Sequence, residues 1–275
     1  MGEYTGFKEI AWNDDLAGYV FADPCKNVFE CLTNEYLMLR SDDGDPPMIL
    51  RCDGETMSIV QHRTIKSSYI GEIKPRNEHQ KMAIDMLYNP TSKIKVICGP
   101  YGSGKDYLMC GAAMELLEKE KFDHIVYVRN NIEVEHSNPI GFLPGGANDK
   151  LLPFAMPLAD HLGGVDGLNH VISQGELEIV HFGFIRGRDF RNSIVLCSEA
   201  ENMTTAHIKL LIGRIGEGSE LWINGDTRQS DAAVFRKDNG LDRMIDRLKG
   251  NPLFGYVRLM KTERSETAAL SDLLD

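Results

Sequence analysis

Eight consecutive residues, Gly99-Pro100-Tyr101-Gly102-Ser103-Gly104-Lys105-Asp106, could hold a polyphosphate. They follow an apolar run, 94–98, and lead into a helical pattern, the strand-loop-helix context that gives G-x-x-x-x-G-K-[ST] its meaning. The glycines let the backbone wrap closely around phosphates, and Lys105 can reach the terminal ones. Successive N–H groups and the helix N-terminus add positive potential. The last position departs from the pattern. A Ser or Thr there would offer a hydroxyl to Mg²⁺, whereas Asp106 sets a carboxylate beside an already anionic ligand. Either the metal is held in another way, or hydrolysis is weakened or lost.

A second chemical element is Ile194-Val195-Leu196-Cys197-Ser198-Glu199-Ala200-Glu201-Asn202. An apolar strand ending in acids is where a P-loop enzyme keeps an Asp for the Mg²⁺ shell and a Glu that orients or activates water. Ser198 occupies the Asp position and Glu199 the Glu position. Beside Asp106 this reads as an exchange, with the hydroxyl where the acid belongs and the acid where the hydroxyl belongs. Asp106 and Ser198 are therefore the candidate metal ligands. A third element, Asn224-Gly225-Asp226-Thr227-Arg228-Gln229, follows another apolar run, where helicases place a residue sensing the terminal phosphate. A fourth, Lys261-Thr262-Glu263-Arg264-Ser265-Glu266, lies near the C-terminus, and Lys74-Pro75-Arg76-Asn77-Glu78-His79-Gln80 upstream resembles a Q motif, whose Gln reads the adenine edge.

These residues need a scaffold, and the pattern supplies one from Lys74 onward. Strand-like runs recur at 93–99, 125–129, 177–182, 193–198, 220–225 and 256–260, with helical patterns at 77–87, 104–120, 204–215 and 241–248. Near-continuous apolar strands alternating with helices predict an α/β fold with a parallel sheet covered on both faces. Residues 1–73 read differently, as a small β-rich accessory module with short runs at 36–39 and 48–50 around the turn-rich 41–47. The expected division is thus 1–73 and 74–275.

Composition narrows the function. A formal charge of −11 excludes a broadly basic nucleic-acid binder. Residues 1–74 carry 7 Lys/Arg against 13 Asp/Glu, and residues 75–275 carry 23 against 28, with clustered arginines, so a local basic channel stays open. The six cysteines form no C-x-x-C pair, which predicts reduced thiols and a cytoplasmic setting. The start, MGEYTGFKEI, is too polar for a signal peptide, and no membrane span is expected. Read as residues alone, Arg186, Arg188 and Arg191 fit a solvated charged turn, and Arg214 and Arg264 fit surface ion pairs as well as a catalytic role.

Together these motifs resemble the PhoH family of phosphate-starvation-inducible ATPases, especially the nucleotide-binding half of its PIN-PhoH branch. Further blocks carry the resemblance: Val128-Arg129 to Glu133, Ile140-Gly141-Phe142-Leu143-Pro144-Gly145, Phe184-Ile185-Arg186-Gly187-Arg188 and Gly213-Arg214-Ile215-Gly216-Glu217-Gly218-Ser219. It covers the chain from about Asn34 to the last residue. It implies a RecA-like fold related to superfamily-1 helicases, ATP and Mg²⁺ as ligands, and action on RNA or single-stranded nucleic acid. The implied roles are catalysis by Glu199, Gln229, Arg264 and Arg214, nucleotide contacts from Gln80, the loop through Asp106 and Tyr107, and nucleic-acid contacts from Arg129, Phe142, Arg186 and Arg188. The family pattern has Thr at Asp106, Asp at Ser198, Gln at Glu201 and Pro at Asn130, and three of these four departures fall at the expected nucleotide-metal site. A PIN nuclease does not fit in residues 1–73, and the shortened sequence suits a phage version of the family. Because one RecA-like half lacks the second half that would supply a catalytic arginine, a trans arginine and a hexameric ring are expected. Two functions stay open: an ATPase remodelling RNA, and a nucleotide-gated binding or scaffold protein that has lost turnover.

Overall fold

The computed structural model describes residues 3–41, 44–129, 151–228 and 238–263. Gln229, Arg264 and Phe142 lie outside them. Twelve strands and seven helices follow in chain order among the described residues: β1 (Phe7–Ala11), α1 (Asp14–Val20), β2 (Tyr36–Arg40), β3 (Met48–Cys52), β4 (Met57–Ile59), β5 (Ile65–Ser67), β6 (Gly71–Ile73), α2 (Glu78–Leu87), β7 (Ile94–Cys98), α3 (Lys105–Glu118), β8 (His124–Arg129), α4 (Met156–His161), α5 (Val165–Ser173), β9 (Leu177–His181), β10 (Ser193–Ser198), α6 (Thr205–Ile212), β11 (Glu220–Gly225), α7 (Gly240–Leu248) and β12 (Phe254–Arg258). The larger sheet runs β12-β7-β11-β10-β8-β9, the parallel, helix-flanked arrangement of a RecA-like P-loop α/β fold. Strands β10 and β11 are buried along their whole length, as a sheet covered by helices requires.

The chain divides into two compact units, Met1–Thr64 with Lys74–Gly104 and Ile245–Asp275, and Ile65–Ile73 with Lys105–Met244. In the first, β1 pairs parallel with β2, and β2-β3-β4 continue antiparallel as the small N-terminal β module. Its core is Leu37, Leu39, Leu50 and Cys52 with Val20, Cys25, Cys31 and Met57. Strand β12 lies parallel to β7, and α2 packs on both. Buried polar groups fix the module to this layer. Asn34 Nδ2 donates to the carbonyls of Pro252 and Phe254, each at 2.9 Å, and the Tyr36 hydroxyl donates to Asp85 at 2.8 Å.

In the second unit β8 stands between β9 and β10, and β11 follows, all parallel. Helix α3 packs on β8, β10 and β11, and the β5-β6 hairpin lies along it. Gly111 of α3 makes room for Ile73, while Glu115 accepts the Lys66 N–H at 3.1 Å and Glu118 the Ser67 hydroxyl at 2.7 Å. Helices α1, α4 and α5 lie outside the helical patterns of the sequence. Pro153 and Pro157 and the glycines at 163, 164 and 167 break the apolar period of the segment holding α4 and α5 into pieces too short to register as helix.

Candidate nucleotide site

In the first unit the loop after β7 is shaped from outside. A side chain at Gly99 would place its Cβ 2.7 Å from the Leu259 carbonyl oxygen, so only glycine lets the chain pass β12's continuation. Gly104 has φ +91°, which glycine alone adopts without strain. Helix α2 then reaches the loop through its N-terminus. The Asn77 side chain caps that helix by accepting the Gln80 N–H at 2.9 Å. The buried Gln80 amide accepts the Arg76 N–H at 2.9 Å and donates to the Ser103 carbonyl at 3.0 Å. Glu263 closes the brace: it accepts Asn77 Nδ2 at 2.6 Å, and its N–H donates to the Gly102 carbonyl at 2.9 Å. The fully buried Ser103 hydroxyl has no hydrogen-bond partner among the described residues. A braced, glycine-lined loop with an orphaned hydroxyl fits a phosphate-bearing ligand.

In the second unit, α3 opens with the buried Lys105 and then Asp106. Asp106 Oδ1 accepts the Ser198 hydroxyl at 3.1 Å and Asn224 Nδ2 at 2.8 Å. Parallel register explains the meeting, because Cys197 of β10 pairs with Ile223 of β11, which carries Ser198 and Asn224 to neighbouring strand ends. Among the described residues no three His, Cys, Asp or Glu side chains form a metal-holding group. A carboxylate and a hydroxyl side by side still fit Mg²⁺, which takes few protein oxygens and completes its shell with phosphate and water.

Glu199 follows Ser198 in a left-handed conformation, φ +58° and ψ +46°. Both of its carboxylate oxygens are taken by Arg129, whose Nε donates to Oε2 at 3.1 Å and whose Nη2 donates to Oε1. The pairing follows from register, since Arg129 of β8 lies beside Ser198 of β10. Arg129 also donates to the Phe154 carbonyl at 3.3 Å. Burial works against the Arg129 charge, yet the bonds and charge of Glu199 outweigh it and hold the guanidinium pKa above its ordinary value. Glu201 is buried and accepts the Asp226 N–H at 3.1 Å. Burial pushes its carboxyl up to about 7, the N–H donors and Lys105 working against that rise and the Glu199 charge adding to it.

The other sequence-derived residues are placed as follows. Tyr101 is exposed, and its carbonyl accepts the Thr262 hydroxyl at 3.2 Å. Tyr107 is partly exposed with its ring 5.4 Å from that of His161. Arg188 forms a two-bond pair with Glu178 at 3.0 and 2.7 Å. Arg214 Nη1 donates to the Arg188 carbonyl at 3.4 Å, while its Nε is buried without a hydrogen-bond partner among the described residues. Arg186 is exposed. Asn224 and Glu263 were given no role by the sequence reading. Each sits next to a motif residue, but only the fold shows that Asn224 binds Asp106 and that Glu263 ties α2 to the loop.

A family model described as PhoH-like protein matches residues 72–270. The chain belongs to the PhoH family. It is 29% identical over 293 aligned positions to Protein PhoH2 of Bacillus subtilis (strain 168), covering 98% of this chain and 64% of that protein. To Protein PhoH of Escherichia coli (strain K12) it is 31% identical over 196 positions, covering 70% and 54%. To the PhoH-like protein of B. subtilis it is 34% identical over 168 positions, covering 60% and 52%. The chain thus spans less than two thirds of the length of these relatives. PhoH proteins are of the P-loop ATPase type, which agrees with the loop and sheet described above. No helix among the described residues is long and apolar enough to cross a membrane.

Proposed function

We propose that residues 74–275 form a Mg²⁺-dependent ATPase that acts on RNA or single-stranded nucleic acid as a cytoplasmic homo-hexameric ring, with residues 1–73 as an accessory module. The observation that carries the nucleotide chemistry is the meeting of Asp106, Ser198 and Asn224 at the start of α3. The loop N–H groups and Lys105 bind and orient the phosphates, and Gln80, Asn77 and Glu263 keep the loop in its binding shape. Asp106 and Ser198 would hold Mg²⁺, which supplies charge neutralisation on the phosphates. Asn224 fixes the Asp106 carboxylate in place. Glu199 is the base that takes a proton from the attacking water at a carboxylate oxygen.

Arg129 sets the condition for that step. With both Glu199 oxygens bonded to its guanidinium, the base is occupied, so turnover requires Arg129 to leave. An arriving nucleic-acid phosphate competes for the same guanidinium, which supports stimulation by RNA or single-stranded DNA. The ring reading rests on the need for a second source of a phosphate-neutralising arginine. Arg264 and Arg214 are the candidates, and Arg214 is already engaged with the 188 segment.

The occupied base also favours a second reading, a nucleotide-gated binding protein without turnover. ATP hydrolysis measured with and without single-stranded RNA separates the two, with Lys105→Ala as control. Stimulated turnover abolished in the control supports the motor. Tight ATP binding with no turnover supports the binder. A strictly monomeric mass at micromolar concentration with nucleotide would reject the ring.

A further inference from the structure

The turn after β9 presents an aromatic ring to solvent by construction. Residues 182–184 form a single 3-10 turn whose entry is fixed by His181, with Nδ1 accepting the Gly183 N–H at 3.0 Å. Phe182 and Ile185 on either side are buried, at 6% and 0% exposure, and anchor the turn. Phe184 between them is 73% exposed, more than any other large hydrophobic residue described. Its ring lies 5.5 Å from that of His181, which fixes one edge and leaves the rest open. Isolated exposed hydrophobics are common on protein surfaces and need no explanation. Here the buried neighbours hold the ring out, and the surrounding charge has a sign.

Within residues 186–191, charge accounting among the described residues leaves one cation over. Arg188 is bound to Glu178 and Arg191 to Asp189 at 2.7 Å, so these four charges cancel in pairs. Arg186, two residues from Phe184, is exposed and has no ion-pair partner among the described residues. An open aromatic face two residues from a guanidinium with no ion-pair partner among the described residues matches an unpaired base with its phosphate.

We propose that Phe184 is a stacking platform for an unpaired nucleobase and that Arg186 contacts an adjacent phosphate. This rests on the nucleic-acid reading given above and assigns Phe184 a role that the arginines alone do not. Stacking and phosphate contacts differ in salt dependence, which makes the two residues separable. The test is fluorescence anisotropy of the full chain with labelled single-stranded RNA over a salt series, for the wild type, Phe184→Ala, Phe184→Trp and Arg186→Ala. Phe184→Ala is expected to weaken binding roughly 5- to 100-fold at every salt concentration without changing the salt slope, and Phe184→Trp to retain affinity. Arg186→Ala is expected to reduce the slope by about 0.7, the share of one phosphate contact on a single strand. Affinity of Phe184→Ala within twofold of the wild type, with the wild type binding, would overturn this inference alone. So would a change in oligomeric mass with unchanged RNA affinity, which would make Phe184 a protein contact. Absence of binding by the wild type would overturn the nucleic-acid reading and this inference with it.

Discussion

The phosphate loop and the strand-end cluster of Asp106, Ser198, Asn224, Glu199 and Arg129 are built on opposite principles. The loop acts through its backbone, so the residues around it serve to hold main-chain groups: Gln80 bonds the Ser103 carbonyl and Glu263 the Gly102 carbonyl. The cluster presents side-chain oxygens. What matters there is which atoms arrive at one point, and less which strand or helix delivers them. This explains where the chain departs from the family pattern. The loop carries both glycines and the lysine of the G-x-x-x-x-G-K pattern, while Asp106 and Ser198 stand where the resemblance implies a hydroxyl and an acid, so each supplies the group type expected at the other.

The comparison can be broken most severely at Lys105. Lys105→Ala removes the loop side chain proposed to reach the phosphates, and ATP turnover is expected to fall on the order of 100-fold or more in a steady-state assay. Retention of turnover would mean that the backbone alone suffices.

Glu201 gives the next largest effect, in stability. In the folded chain its carboxyl is raised from 4.5 to about 7. Between those values the folded protein holds a proton that the unfolded chain has released, so stability is lost as pH rises through this window and the full cost is present above it. Glu201→Gln removes that penalty, and its advantage over the wild type in chemical denaturation is expected to grow by about 3 kcal/mol from pH 4 to pH 8. An advantage independent of pH would show that Glu201 is solvated in the fold.

The exchange within the cluster is sharpened by a double-mutant cycle. Asp106→Thr leaves no carboxylate, and Ser198→Asp sets two carboxylates within hydrogen-bond distance. Each alone is expected to weaken Mg²⁺-dependent nucleotide binding, and together they restore it with a coupling of roughly 1–3 kcal/mol in calorimetric titration. Additive losses would remove the basis for the exchange. The smallest effect is expected from the brace. Asn77→Ala deletes the α2 cap and the bond to Glu263, costing about 1 kcal/mol in thermal unfolding, with Gln80 still holding Ser103.

Much of this was legible before the fold was seen. The runs at 93–99, 193–198 and 220–225 became β7, β10 and β11 because a buried parallel strand is written as an unbroken apolar stretch. The P-loop could be placed because its glycines and lysine are local. The role of Asn224 was illegible: its partner Asp106 is 118 residues away, and nothing in Asn-Gly-Asp singles it out. Gln80 is expected from the Q-motif pattern to read adenine, but its two bonds to Arg76 and Ser103, which make it a brace of the loop, depend on α2 lying against that loop. Phe184 and Phe182 are the same residue type two positions apart, and only the turn between them decides which is buried.

The sequence by itself determined the parallel α/β class, the position of the G-x-x-x-x-G-K loop and the unusual residues Asp106 and Ser198 near it, because each depends on residue type at short spacing. The tertiary structure alone decided that Asp106, Ser198 and Asn224 share one point and that Arg129 occupies Glu199. Both meetings are set by the register of parallel strands and by the helix that crosses their ends, and register joins residues whose distance along the chain carries no signal.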